Sequence, residues 1–118
     1  MQKLLLIIFL FTGALLTAQQ ESDYYRLEKI TIPEDIALEV GGMDFMADGR
    51  LAVCTRRGEV WLIGDLNDKA TWTRFARGLH EPLGLSVNDG DIYVSQRGEV
   101  TRLEDTNGDD KADRFEVV

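Results

Sequence analysis

An all-β chain built from repeated four-stranded units is the fold class this sequence predicts, and three observations predict it. Two segments match one another nearly residue for residue: GRLAVCTRRGEVWLIGDLND from Gly49 and GDIYVSQRGEVTRLEDTNGD from Gly90. Each shows the same succession of short apolar run, Asp-Gly turn, apolar run, Arg-Gly turn and apolar run. The repeat distance of about 40 residues holds four strands, the size of one β-propeller blade. The expected architecture is a partial β-propeller of about two four-stranded blades, preceded by a signal peptide.

The elements follow in order. Residues 1–18 join Lys3 to the unbroken apolar run Leu4 to Phe11 and close on Thr17-Ala18-Gln19, the composition of a secretory leader. That run is well short of the ~20 residues a bilayer span needs, and no Lys or Arg cluster follows it to stop transfer. The mature chain is expected to begin near Gln19 or Gln20, with no membrane span and a secreted or periplasmic destination.

Residues 19–41 form a lead-in. Tyr24 to Ile32 alternates well enough to be a strand, which Pro33-Glu34-Asp35 breaks. Residues 42–118 read as an incomplete propeller. Blade one, about residues 42–77, has strands at Met43 to Met46, Leu51 to Thr55 and Glu59 to Ile63, each rich in β-formers and bounded by Gly or Asp. In its fourth strand Trp72, Arg74 and Ala76 alternate with Thr73, Phe75 and Arg77. Gly78 to Pro82 is the crossover, and blade two occupies about residues 83–118. The Asp-Gly pairs supply the positive backbone dihedrals of tight hairpins, and the Arg-Gly pairs place glycine at the left-handed position. A closed propeller takes roughly four to eight blades, so a truncated frame or a fragment is expected.

A formal net charge of −8 over 118 residues makes nucleic acid a poor partner. The lone Cys54 permits no internal disulfide, and its apolar neighbours mark a buried, inert thiol. The sharpest chemical motif is the twelve-residue stretch from Asp105 to Glu116. Asp105, Asn107, Asp109, Asp113 and Glu116 stand at positions 1, 3, 5, 9 and 12, with the Lys111 carbonyl at position 7, which is calcium-loop spacing. A hard cation wants six or more converging oxygens, and this pattern offers them. Asp110 stands where such loops carry glycine, but aspartate tolerates the left-handed conformation. The flanks are strand-like, so any calcium would be structural and held between strands. A metal-free acidic hairpin loop is the alternative.

Other residues carry weaker signals. His80 beside Glu81 suggests acid-base chemistry, although neighbouring side chains point apart and packing over Pro82 is the plainer account. Arg56, Arg57 and Arg97 recur at one hairpin, where they clamp an anion or pair with nearby carboxylates. Trp61 and Trp72 offer a sugar-stacking surface or, more cheaply, packing between blades.

The stretch Gly42 to Trp61, GMDFMADGRLAVCTRRGEVW, resembles the opening blade of the soluble glucose and sorbosone dehydrogenase superfamily. Met43 stands where that pattern has Leu and Ala47 where it has Pro. The stretch Gly78 to Glu116 is similar to the large exported "membrane-bound dehydrogenase" propellers of environmental bacteria. The resemblance implies an exported sugar or alcohol dehydrogenase-like oxidoreductase that uses pyrroloquinoline quinone and calcium and takes carbohydrate or a small alcohol. It also implies a cytochrome or haem domain downstream. In that superfamily the catalytic and quinone-holding residues come mainly from later blades, and none maps onto this chain. The competing expectation is a non-catalytic, calcium-stabilised propeller that binds glycans or proteins, because fold alone does not fix activity.

Overall fold

The computed structural model describes Gln20, Ser22 and residues 24–118; the expected leader over residues 1–18 lies outside the described residues. Eight strands form among them, and no helix there is long and apolar enough to cross a membrane. The first sheet contains β1 (Val40–Phe45), β2 (Leu51–Thr55), β3 (Val60–Gly64) and β4 (Thr71–Ala76), and the second β5 (Gly84–Asn88), β6 (Asp91–Gln96), β7 (Glu99–Glu104) and β8 (Arg114–Val117). Both are antiparallel meanders in chain order. The repeat read from the sequence is thus a repeat of whole sheets.

The length differences within the repeat are turn differences. Asp89 and Gly90 both take positive φ, at 51° and 90°, and close β5 onto β6 as a two-residue hairpin with Asn88 opposite Asp91. At the matching place in the first sheet the Met46 amide donates to the Arg50 carbonyl and only Gly49 is left-handed, so the turn holds one residue more. Arg56-Arg57-Gly58 is likewise one residue longer than Arg97-Gly98, and the glycine is left-handed in both.

Two parts of the sequence reading change. The fourth strand does not simply alternate: the register slips between Val60 and Trp61, so Phe75 and Ala76 are both buried while Trp72 and Arg74 share the other face. No strand forms over residues 24–32. The segment forms no ladder, and its carbonyl at Thr31 accepts from the Trp72 indole Nε1 at 3.1 Å.

The sheets stack face to face through one core. Ala52, Cys54, Val60 and Leu62 of the first sheet meet Ile92, Val94 and Leu103 of the second, with Phe75 and Ala76 at the outer side. Leu62, Ile92 and Leu103 are essentially fully buried, and each such side chain contributes roughly 1.5–3 kcal/mol. The repeat alignment shows that the two sheets use opposite faces. Val94 and Leu103 correspond to Val53 and Ile63, which lie on the far face of the first sheet. Ala52, Cys54 and Leu62 correspond to Tyr93, Ser95 and Arg102, which lie on the far face of the second. The stacking is head to tail.

Val53, Thr55 and Ile63 are nevertheless buried. The segment leading into β1 runs beside their face: Ile36 is buried, the Arg56 amide donates to the Glu39 carbonyl at 2.9 Å, and Arg57 pairs with Glu39.

Candidate functional site

The residues with chemical potential gather where the sheets meet. β1 and β5 approach so closely that a Cβ on Gly42 would collide with the backbone of Gly84 and Leu85. Beside that contact Asp44 spans the seam. Its Oδ2 accepts from the Val87 amide at 2.8 Å and its Oδ1 from its neighbour Phe45 at 2.8 Å. These two amides hold the Asp44 carboxyl below its ordinary value of 3.8. A depressed folded-state value contributes stability that is present above the ordinary value and lost as pH falls through the folded one. Asp44→Ala should therefore lower the urea midpoint at about pH 7, and the difference from the parent should shrink steadily as the pH is lowered below about 4. A loss that does not change with pH would mean that the carboxylate charge does not hold the seam. Sequence reasoning missed Asp44; the available signal was its alignment with Ser86, a carboxylate where the other repeat has a hydroxyl.

The acidic loop between β7 and β8 forms the outer clasp. Asp105 caps successive amides: Oδ1 accepts from Gly108 at 2.8 Å and, at longer range, from Asn107 and Asp109, and Oδ2 accepts from Asp110 at 2.9 Å. Burial acts to raise this carboxyl, and the bonds from Gly108, Asp110, Asp109 and Asn107 outweigh it, so it lies below its ordinary value. Asn107 accepts from the Asp109 amide and Asp109 from the Lys111 amide. Asp110 takes φ 62°, the left-handed geometry expected at that position.

The loop is tied to the first sheet at two points. The Ala112 amide donates to the Phe75 carbonyl at 2.8 Å, and Arg50 pairs with Asp110 at 2.9 Å. The structure thus places Asp105, Asn107, Asp109 and Lys111 in one loop. It turns Asp113 to the Thr106 hydroxyl at 2.8 Å, and Glu116, out on β8, to Arg102 at 3.5 Å and Arg114 at 3.7 Å. The oxygen-rich donor set suits a hard cation, but among the described residues no three His, Cys, Asp or Glu side chains converge to hold one.

The remaining candidates take structural partners. His80 and Glu81 part company: the His80 amide donates to the Gln96 Oε1, its carbonyl accepts from Arg97, and Glu81 pairs with Arg97 at 2.6 Å. Glu81 also holds a positive φ of 49°. Cys54 is fully buried, and burial raises its thiol above the ordinary value, which suppresses the reactive thiolate. Trp61 and Trp72 meet edge to face at 6.4 Å, with Arg74 over the Trp61 ring at 5.8 Å and the Trp61 indole Nε1 donating to Glu59.

Among the described residues no nucleophile, base and oxyanion donor come together. No protein-family model, curated protein or solved structure matches this chain.

Proposed function

We propose that this chain supplies two neighbouring blades of an exported β-propeller whose activity is that of a quinone-dependent sugar or alcohol dehydrogenase. The observation that carries the propeller part is the head-to-tail stacking. Successive repeats pack with opposite faces and with their first strands side by side, an arrangement that repeats around an axis and does not close as a two-sheet sandwich. The dehydrogenase part is supported by the resemblance of residues 42–61 and 78–116 to that superfamily. Pyrroloquinoline quinone would supply the redox chemistry, and further sheets would supply the residues that hold it. These two sheets contribute the wall.

Calcium belongs to the same proposal. Asp105 Oδ2 and Asn107 Oδ1 each receive a single amide, so each keeps a lone pair for a cation. Asp113 and Glu116 would have to leave Thr106 and the two arginines to join them. Calorimetric titration of calcium into the protein should give saturable heat that an Asp105→Ala, Asp109→Ala double variant loses. A flat titration of folded protein leaves the loop a clasp made of hydrogen bonds.

The activity is tested on the protein isolated from its own exported fraction, loaded with the quinone and calcium and supplied with aldoses and small alcohols. Substrate-dependent bleaching of an electron-accepting dye supports the dehydrogenase reading. Retention on immobilised glycans without bleaching supports the second reading, a binding propeller.

A further inference from the structure

Where the end of the acidic loop meets the first sheet, the described residues form a concavity with a distinctive charge. It opens between the outer ends of the two sheets, with a volume of about 450 Å³, within the range of small-molecule sites. Phe75 and Ala76 of β4 line one side and Ala112 and Phe115 the other, and the Ala112 to Phe75 backbone bond joins the two walls. Phe75 and Ala76 are buried, whereas Phe115 leaves about half its surface open, at 48%. The rim is cationic, formed by Arg74, Arg77 and Lys111.

That rim runs against the character of the chain. Acids outnumber bases by 21 to 13, and Arg26, Arg50, Arg57, Arg97, Arg102 and Arg114 each stand beside a carboxylate. Arg74 is partly occupied by Glu59 at 3.4 Å. Arg77 and Lys111 pair with no carboxylate among the described residues, although both border the groove. Two uncommitted cations over an apolar floor, with an open phenyl ring as one wall, select for a molecule that is anionic at one end and flat and apolar at the other. A long polyanion would be repelled by the net charge of −8, whereas a ligand with one or two charges is not. Uncharged carbohydrate leaves the rim unused.

From this we infer that the groove between β4 and β8 is a binding site for a small aromatic carboxylate, with the carboxylate between Arg77 and Lys111 and the ring against Phe115. This goes beyond the dehydrogenase reading and does not depend on it, because the groove lies at the outer strands, away from the β1 and β5 side where stacked sheets share an axis.

The probe is the naphthoate anion, titrated by calorimetry into the intact protein, with naphthylmethanol as its uncharged counterpart. Saturable naphthoate binding is expected. It should weaken at least about ten-fold for naphthylmethanol and for the Arg77→Gln, Lys111→Gln double variant, and stay unchanged in Arg57→Gln, whose cation lies elsewhere. Both groove positions are exposed, and far-UV circular dichroism confirms that the variants keep their sheets. Phe115→Ala gives a second readout and should also weaken binding. No saturable binding to folded protein overturns the inference. So does equal affinity for the neutral compound or for the double variant, which would mark the uptake as apolar adsorption alone.

Discussion

Gly58→Ala is expected to destabilise the protein severely, while the same change at its repeat counterpart, Gly98→Ala, costs much less. Both glycines are left-handed, with φ of 94° and 92°, and forcing alanine into that region costs roughly 1–2 kcal/mol. They differ in their surroundings. The Gly58 carbonyl accepts from the Leu79 amide at 3.1 Å, so the crossover segment lies directly on the turn, and a Cβ on Gly58 would run into the Leu79 carbonyl. Around Gly98 the same Cβ meets open space.

The overlap at Gly58 involves backbone on both sides, which no rotamer change relieves, and overpacking of this kind adds roughly 1–3 kcal/mol. The combined loss, roughly 2–5 kcal/mol, reaches at its upper end the lower end of domain stabilities. Urea denaturation of the two variants side by side checks it. Equal losses would show that the crossover does not need its close seat on the turn.

The second large effect is expected at Leu62. Leu62→Arg writes into the first sheet the residue that the second sheet carries at the matching place, Arg102. Leu62 is 1% exposed and faces Ile92, Val94 and Leu103. A guanidinium there has no carboxylate to meet, and an uncompensated buried charge costs on the order of 4 kcal/mol. The sheets should separate, with a large rise in binding of an apolar dye.

The reciprocal Arg102→Leu should shift the unfolding midpoint far less. Arg102 lies on the open face of the second sheet, where it pairs with Asp91 at 2.6 Å and shares Glu104 and Glu116 with Arg114. The group is only partly buried and keeps contact with solvent, so losing these pairs costs far less than stranding a charge in the core. Comparable losses in both variants would mean that the far face of the second sheet is packed as tightly as the seam, contrary to the head-to-tail arrangement.

Most of the sheet architecture was legible because it is local. Period-two apolar runs, Asp-Gly at 89 and 90, and left-handed glycines after Arg57 and Arg97 act within a few residues and determine hairpins. The register slip at Val60 was not legible, since Thr71 to Ala76 alternates in sequence and only the need to bury Phe75 and Ala76 together disturbs it. Tyr24 to Ile32 has the pattern of a strand, but a strand also needs a ladder partner, which no pattern within the segment specifies. The acidic loop was recognised by its spacing, whereas its link to Arg50 joins residues 60 apart and depends on how the sheets stack. The carboxylate groove was invisible for the same reason: Arg77 and Lys111 lie in different repeats and border one groove only because the sheets stack.

The meander order of both sheets governs how the chain is made. Every ladder joins strands adjacent in the sequence, so the first sheet can assemble as soon as Ala76 has left the ribosome. Its apolar face, with Ala52, Cys54 and Leu62, then has nothing to rest on until Ile92, Val94 and Leu103 emerge. At synthesis rates of about 5–20 residues per second this interval lasts on the order of one to five seconds. During it the nascent chain displays a finished, adhesive surface, and this is the window in which a holding chaperone or a slowly translated crossover decides between stacking and aggregation.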